Sequence, residues 1–401
     1  MKKGVSGLFE KYNNLAKKNC FFRLLDKVKY ELPVLVVLLI FYFLNDYDST
    51  NDPYTILHIF DYRIGFAPRL FIGSIMSLFT DYKTLAFMNR FFDIFCLLSI
   101  ILFTFAAGRV IRKSDDKTKS TAIVFVILFL AVPYSRTVLY PRLISLDRFL
   151  VVFTLLAFIA ISKKGFKWLV PLLILMSLAT YQGYAFTYMP AVAILLLYEV
   201  YRNKNTKESI ALCVVSFVFM AAFSAYFFLM KGVDYSVNEL IAYAADKTDM
   251  RERVGEFDFS WVLQLLSLPP KGIWNLSVQG GVLDNLSTEV SGMLHLLPLL
   301  VIFLMIWIES IKKSKGKFER FIYFLCATAP LFRLPMLVLS QNYFRSRVSV
   351  VIIQFFLLLY FLHIGNPVVT ASSRKIGDFF NKNYWLFTAL IVYFLFFVKL
   401  R

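Results

Sequence analysis

Residues 45–79 read NDYDSTNDPYTILHIFDYRIGFAPRLFIGSIMSLF, and the rest of the chain is arranged around them. This polar stretch follows the first long apolar run and precedes the second. It concentrates charge in a chain that is otherwise mostly Phe, Leu, Ile and Val. Its charged residues include Asp46, Asp48, Asp52, Asp61, Arg63 and Arg69. Because charge is expensive next to a bilayer, the stretch indicates a functional loop between two membrane spans.

The composition indicates a polytopic α-helical membrane protein. Hydrophobic residues make up 59% of the 401 residues and aromatic residues 18%, with a mean hydropathy of +0.65. Apolar runs of near-spanning length recur along the chain, whereas a β-barrel would show short alternating segments. The net charge of +18 comes from basic residues in short loops between the runs, as the positive-inside rule expects. We therefore expect the lipid bilayer as a partner and no nucleic acid.

The runs and the loop charges predict an all-α bundle of about eleven transmembrane spans. The N-terminus is predicted in the cytoplasm and the C-terminus outside, in a multi-pass protein of the bacterial cytoplasmic (inner) membrane. Interfacial helices are expected in the first outer loop and in the outer segment after span seven. The predicted parts are a cytoplasmic amphipathic tail (1–31), a transmembrane module (32–230) with a first outer loop (45–85), an outer amphipathic segment (231–292) and a C-terminal transmembrane module (293–401).

Asp61 is the candidate general base of the first outer loop. It follows the short apolar stretch 56–60, and a carboxylate there can remove a proton from an acceptor hydroxyl. Arg63 and Arg69 are candidates for phosphate binding, because a forked guanidinium suits a phosphate. Pro68 is expected to open a helix at Arg69, and the apolar surface of that helix would lie on the membrane interface. The alternative is a solvated loop whose acids and arginines balance one another.

Two further short segments carry carboxylates. Asp46 and Asp48 form an Asp-x-Asp pair, which can hold a divalent cation, magnesium or manganese, against a phosphate. Asp147 opens the fourth span as a candidate metal or acceptor ligand, and Arg142 or Arg148 would bind a diphosphate. The alternative for Asp147 is an ion pair that caps the helix N-terminus, where an aspartate is favourable.

An aromatic turn, YQGYAFTYMP at 181–190, follows the fifth span. Tyr181, Gln182 and Tyr184 are candidates for a stacking and hydrogen-bonding wall that binds a sugar, an acceptor or a prenyl chain. The alternative is an aromatic belt at the membrane interface.

Arg333 lies in an apolar span between two prolines, and a buried arginine in a Pro-broken helix indicates function. With Arg345 and Arg347 it forms a second cationic group that faces the outer side. Phosphate or pyrophosphate binding is one interpretation of these arginines. Snorkelling to the membrane surface is the other.

The layout resembles the GT-C superfamily of polytopic glycosyltransferases. The matching parts are the acidic first loop, NDYDSTNDPYTILHIFDYRIGFAPR, and the long outer segment 231–292. The chain also looks like polytopic proteins of bacterial surface-polysaccharide clusters with D-Y-R-x-G-F and D-R at similar places. The resemblance implies a polyprenyl-phosphate-linked sugar donor, a glycan acceptor, inverting transfer and a first-loop aspartate as base, with Asp61 the first candidate and Asp48 the second. The chain departs from the family in lacking a clear adjacent acidic pair of the D-D or D-E type in the first outer loop and a large C-terminal soluble domain.

Two other functions fit the same layout. A repeat-unit polymerase of the O-antigen or capsule type would depend on Arg333, Arg345 and Arg347 rather than on a first-loop aspartate. A flippase or transporter of lipid-linked sugars would carry charged residues along a path through several spans, and only Arg333 fits that pattern in the sequence.

Overall fold

The computed structural model describes residues 26–44, 53–136, 146–204, 206–229, 232–250, 252, 262–264, 266–267, 282–336 and 343–398. Within these ranges the protein is all-helical and has no β-strand, as the sequence predicts. The α-helices are α1 (Glu31–Phe43), α2 (Phe71–Ser77), α3 (Leu85–Lys113), α4 (Asp116–Ala131), α5 (Pro133–Arg136), α6 (Asp147–Ser162), α7 (Leu169–Thr180), α8 (Met189–Arg202), α9 (Lys207–Leu229), α10 (Val237–Ala245), α11 (Val282–His295), α12 (Leu297–Lys313), α13 (Lys317–Thr328), α14 (Tyr343–His363), α15 (Pro367–Lys382) and α16 (Tyr384–Val392). Short 3-10 helices lie at Pro53–His58, Tyr62–Ile64, Lys164–Phe166, Gln182–Ala185 and Ala329–Arg333, and a π-helical turn lies at Tyr393–Phe397.

Signals at the helix ends explain why the chain reverses between α3 and α4. Thr84 caps the start of α3 by accepting a hydrogen bond from a backbone N–H of the first turn. The helix ends with Arg112 and Lys113, where cations are favourable against the helix dipole. Asp115 then caps α4 by accepting a hydrogen bond from the backbone N–H of Thr118. The two apolar helices therefore run in opposite directions across a short turn.

Two helices, α3 and α9, are each long and apolar enough to cross a membrane. Within the described part of the chain the number rises to four if two bent pairs, α11 with α12 and α14 with α15, each form one span. Shorter apolar helices are α1, α7 and the segment Tyr384–Phe397. These apolar helices indicate a membrane protein, whereas the predicted count of about eleven spans and the orientation of the termini stay predictions.

Helix α14 lies at the centre of the bundle. Every residue from Arg347 to Leu362 is buried, because α14 packs against α3, α4, α6 and α8. Aromatic rings fill the space around it: the ring centroid of Phe129 lies 3.9 Å from that of Phe103 and 5.1 Å from that of Phe355. A helix buried on every side must be apolar all round, which explains the nearly unbroken apolar run in this part of the sequence.

Two helices depart from the predicted boundaries. Helix α11 crosses the boundary placed between residues 292 and 293, and it meets α12 at a bend of 71°. Pro298 lies in the first turn of α12, and its missing N–H prevents one continuous helix. Helix α15, expected only as an inner connection, meets α14 at 115°. The hydropathy of the sequence does not show where α11 and α15 begin and end, because one face of each helix is polar.

Buried ion pairs join the helices at the end of the bundle where α3 ends and α4 begins, here called the basic end. Glu31 of α1 pairs with Arg112 of α3. Glu199 of α8 is 3% exposed; it accepts hydrogen bonds from Lys167 at 3.0 Å and from Tyr360 of α14 at 2.9 Å. Charges at the basic end are therefore partly neutralised inside the bundle rather than only by water.

The opposite end of the bundle carries residues 53–84 and is here called the loop end. The apolar stretch Ile56–Phe60 is fully buried, so the prediction that apolar parts of this loop lie on the membrane interface is wrong for this stretch. The helix expected at Arg69 begins instead at Phe71. The reason is that Arg69 adopts a φ of 78° and donates its backbone N–H to the carbonyl oxygen of Ala179 at 3.0 Å. This contact fastens the loop to the end of α7.

Helix α2 rests directly on the buried stretch at Gly73. A Cβ atom at Gly73 would lie 1.8 Å from the carbonyl oxygen of Phe60. That separation is far inside van der Waals contact, and backbone cannot move away as a flexible side chain can. Glycine is therefore required for α2 to lie against the segment that leads into Asp61.

Gly73→Ala is expected to lower the free energy of unfolding by at least about 2 kcal/mol, because overpacking forces the backbone of α2 away from Phe60. Gly165→Ala is the matched control, since no atom lies within 4 Å of a Cβ at Gly165. The measurement is the melting temperature of the two purified variants in the same detergent. Equal melting temperatures would contradict the packing at Gly73.

Candidate active site

Asp61 organises the loop end. It caps the short helix Tyr62–Ile64 by accepting the backbone N–H of Arg63 at 3.0 Å. The same carboxylate accepts hydrogen bonds from Arg63 Nε at 2.9 Å and Nη2 at 2.5 Å, and from the hydroxyl of Ser77 at 2.6 Å. Its side chain is only 3% exposed. A buried carboxylate is tolerated when a forked guanidinium and further donors satisfy its oxygens, as they do here.

Lys83 lies beside Asp61 and is fully buried. Its Nζ donates to the carbonyl oxygen of Ile59 at 2.6 Å and lies 3.5 Å from Asp61 Oδ2. Burial lowers the pKa of Lys83 to about 8, although the charge of Asp61 opposes this shift. For Asp61, burial acts to raise the pKa, but the hydrogen bonds from Arg63 and Ser77 and the charge of Lys83 outweigh it. The pKa of Asp61 is therefore held well below its usual range.

The first loop and the segment after α9 form one unit, as their shared place in the predicted topology suggested. The backbone N–H of Lys83 donates to the carbonyl oxygen of Lys247 at 2.8 Å, and the hydroxyl of Thr248 donates to the carbonyl oxygen of Lys83 at 2.8 Å. The backbone N–H of Leu85 donates to Asp249 Oδ1, also at 2.8 Å. These contacts hold Lys83 under Asp61 and fix where α3 begins.

Arg63 is the part of this cluster that reaches solvent. Its side chain is 49% exposed, and its Nη1 donates to Asp81 at 2.6 Å while Nε and Nη2 remain on Asp61. Hydrogen bonds to Asp61 and Asp81 raise the pKa of Arg63, so its charge is permanent. In this arrangement Asp61 holds Arg63 and Lys83 in place. To act as a base, Asp61 must first give up a hydrogen bond from Arg63, and that role stays a prediction.

The structure brings Arg69 to the aromatic turn. Its guanidinium carbon lies 5.6 Å from the ring centroid of Tyr181, and both side chains are largely buried. Gly183 lies between this ring and the chain that follows Arg333, since a Cβ at Gly183 would lie 3.0 Å from Met336 Cε. Arg69 and Tyr181, predicted separately in the first loop and the aromatic turn, therefore meet at the loop end.

Gln182 and Tyr184, the other two predicted residues of the turn, differ in how deeply they are buried. Gln182 is half-buried, and its Oε1 has no hydrogen-bond partner among the residues that the structure describes. Tyr184 is fully buried, with its ring stacked 6.4 Å from that of Tyr188. In this conformation Tyr184 packs the turn and presents no surface to a sugar.

Arg333 and Arg347 share one buried carboxylate that the sequence analysis missed. Glu289 of α11 pairs with Arg333 Nη2, and its other oxygen lies 3.4 Å from Arg347 Nε. All three side chains are at most 6% exposed. Arg347 Nη1 also donates to the hydroxyl of Tyr134 at 3.1 Å. Gly292 makes this approach possible, because a Cβ there would lie 2.0 Å from Arg347 Nη1.

Arg148 lies apart from these contacts, against α3. It is 1% exposed, and its Nη1 donates to the carbonyl oxygen of Phe92 at 3.3 Å. The N-cap position of α6 is Leu146, so Asp147 is a buried first-turn residue rather than the cap.

Several predicted site residues lie outside the part of the chain that the structure describes. These are Asp46, Asp48, Arg142 and the side chain of Arg345. Among the described residues there is no group of three or more His, Cys, Asp and Glu side chains that could hold a metal ion. The divalent cation therefore stays a prediction that depends on Asp46 and Asp48.

A family model described as glucosyl transferase GtrII matches residues 69–364. The chain belongs to the GtrII glucosyltransferase family. The match begins at Arg69 and includes Lys83, Tyr181, Glu289 and the buried arginines, while Asp61 lies before it. No curated protein and no solved structure shows a significant match to the chain. GtrII membership supports the prediction of a glycosyltransferase of the surface-polysaccharide type.

Lys83→Met is expected to change how stability depends on pH. Folded Lys83 loses its proton near pH 8 and the unfolded residue near pH 10.5, so the unfolded chain binds more protons between these values. The contribution of Lys83 to the free energy of unfolding therefore increases as the pH rises from 8 to 10.5. The melting temperature of the wild type minus that of Lys83→Met should grow from pH 8 to pH 10. The exposed Lys207→Met is the control, and a difference that does not change with pH would refute the lowered pKa.

Glu289→Ala is expected to destabilise the protein by roughly 3–5 kcal/mol, because it leaves two buried guanidinium groups without their shared carboxylate. Glu208→Ala, which removes an exposed acid from α9, should cost no more than about 0.5 kcal/mol. Thermal unfolding of both variants in one detergent is the measurement. A Glu289→Ala protein as stable as the control would mean that the arginines do not depend on this carboxylate.

Proposed function

We propose that this GtrII family member is a glucosyltransferase that modifies an O-antigen-like surface glycan. In this proposal the donor is a glucosyl polyprenyl phosphate, and transfer takes place with inversion on the outer face of the cytoplasmic membrane. The loop end then faces outward and the basic end faces the cytoplasm. The positive-inside rule supports this orientation, because Arg109, Arg112 and Lys113 lie at the basic end.

The observation that carries the proposal is an apolar groove beside the buried arginines. The groove has a volume of about 700 Å³ between α8, α9 and α13, and Ser224 is the one polar side chain among its lining residues. Phe186 of the aromatic turn and Phe332 also line it, and Phe332 is followed directly by Arg333. An apolar groove of this kind suits a polyprenyl tail. In this proposal the phosphate of a bound tail lies at the Phe332 end of the groove and is bound by Arg333, the next residue in the chain.

The arginines at the loop end supply the cationic groups that a phosphate leaving group needs. Charge on the leaving phosphate develops as the bond to the sugar breaks, and fixed cations stabilise that state. Arg333 and Arg347 are held by Glu289, so their geometry is set before substrate binds. Arg69 over Tyr181 lies beside the same turn and is a further candidate contact to the phosphate or the sugar.

Asp61 is the proposed base for the acceptor hydroxyl. Arg63 bridges Asp61 and Asp81, so a shift of Arg63 toward Asp81 and the substrate would free one oxygen of Asp61. Because the pKa of Asp61 is held low, the carboxylate is ionised, and release of the hydrogen bond from Arg63 would raise its affinity for a proton. Gln182, whose Oε1 lacks a partner among the described residues, is a candidate contact to a sugar hydroxyl.

A repeat-unit polymerase is the second candidate, and the two buried arginines favour it. Both functions use a lipid-linked sugar and cationic side chains at the loop end. They differ in the product, because a transferase adds one sugar to the glycan whereas a polymerase lengthens it. They also differ in their dependence on Asp61.

The test is surface-glycan analysis of a deletion strain complemented with wild type, Asp61→Asn or Arg333→Ala, with protein amounts matched. We expect the deletion to leave a glycan of normal length that lacks glucose, and wild type to restore it. Loss of the base should reduce glucosylation by about a hundredfold or more. Asp234→Asn is the matched control for Asp61→Asn, because it makes the same change at an exposed aspartate that the proposed mechanism does not use.

Two results of this experiment would contradict parts of the proposal. Single repeat units in place of long chains, with Asp61→Asn active and Arg333→Ala inactive, would establish a polymerase and refute the transferase proposal. An active Asp61→Asn protein with normal chain length would remove Asp61 as the base while leaving the transferase in place.

A further inference from the structure

A second apolar groove lies at the basic end, opposite the candidate active site. It has a volume of about 250 Å³ and lies between α3, α6 and α14. Its walls are apolar and include Leu102, Phe105, Phe158 and Leu359. Phe105 is 58% exposed, so the groove opens on the side of the bundle where lipid would lie.

Cationic side chains line the basic end of this groove. Arg109 and Lys163 are the cations among its lining residues, and both are exposed; His363 also lines the groove. These two cations, here called the rim, lie at the same end of the groove. The groove therefore has apolar walls and a positively charged rim at the basic end.

The cations of the rim differ from their neighbours in having no acidic partner. Lys167 and Arg202 are neutralised by Glu199. Neither Arg109 nor Lys163 forms an ion pair with a carboxylate among the residues that the structure describes. Both carboxylate oxygens of Glu199 already accept hydrogen bonds, from Lys167, Arg202 and Tyr360, so Glu199 does not serve as the partner of Arg109 or Lys163. Within the part of the chain that the structure describes, Arg109 and Lys163 are therefore open to an anion from outside the protein.

We propose that this groove binds an anionic phospholipid, with an acyl chain between α3, α6 and α14 and the phosphate at Arg109 and Lys163. Charge complementarity selects the headgroup, and the apolar walls require a chain attached to it. A basic pocket between membrane helices on the cytoplasmic side fits such a lipid, because anionic lipids give that leaflet its negative potential. The site lies at the opposite end from Asp61 and Arg333, so the proposal rests on the orientation proposed above but not on the chemistry of glycosyl transfer.

The test is native mass spectrometry of the full-length protein in detergent, titrated with phosphatidylglycerol or with phosphatidylcholine of the same acyl chains. Wild type should bind phosphatidylglycerol more tightly. The double variant Arg109→Gln/Lys163→Gln should lose about thirtyfold in affinity for phosphatidylglycerol, at roughly fivefold for each cation near the headgroup. Ala106→Phe, which fills the groove without changing its charge, should weaken binding of both lipids.

The matched control is Lys117→Gln/Lys312→Gln, which removes two exposed cations of the basic end that do not line the groove. It should change the affinity less than about threefold, because charge away from the headgroup is screened. An equal loss in this control would mean general surface attraction and would overturn the site. Equal binding of both lipids by wild type, or an Ala106→Phe protein that binds like wild type, would overturn it as well.

A polyprenyl phosphate is the competing occupant. If it displaces phosphatidylglycerol at an equal or lower concentration, and Arg109→Gln/Lys163→Gln abolishes that displacement, the groove is a site for the prenyl lipid and the phospholipid proposal fails. Elution profile and melting temperature of each variant are checked first. Because Arg109 and Lys163 are exposed, their substitution is expected to leave the fold intact.

Discussion

The whole structure depends on the pairing of buried charge. A charge without a partner inside an apolar bundle costs several kcal/mol, so each buried charged group needs an opposite charge or a set of hydrogen bonds. Asp61 satisfies this condition through Arg63, Ser77 and Lys83, and Glu289 satisfies it for two arginines. These contacts join segments far apart in sequence, and the loop end takes its shape from them.

The two ends of the bundle use the same rule for different purposes. At the basic end, Glu199 joins α8 to Lys167 and to Tyr360 of α14, which fastens helices together. At the loop end, Arg63 remains half-exposed while it bridges the buried Asp61 and the exposed Asp81, so a fixed guanidinium faces solvent. A rigid pairing beneath an accessible cation is the arrangement expected of a site that binds phosphate and must keep its geometry.

Much of the candidate site could be read from residues close together in the chain. Asp61 and Arg63 are two positions apart, and their pairing in a short loop follows from that spacing. Arg69 and Tyr181 were each selected, but their contact depends on how the loop packs on α7. Lys83 and Glu289 were missed because each looked like a residue of a polar connection. Tyr184 was selected for its aromatic ring, yet it lies in the core.

The sequence by itself determined that this is an all-helical membrane protein of a glycosyltransferase type, and it selected the charged first loop as a candidate site. Hydropathy, loop charge and helix-end signals depend on residues close together in the chain, so they can be recognised in a single sequence. The tertiary structure decided which charges meet, because burial of Glu289 beside Arg347 requires Gly292 of α11 to face α14 across a bend at Pro298. Long-range packing sets that contact, and no local pattern encodes it.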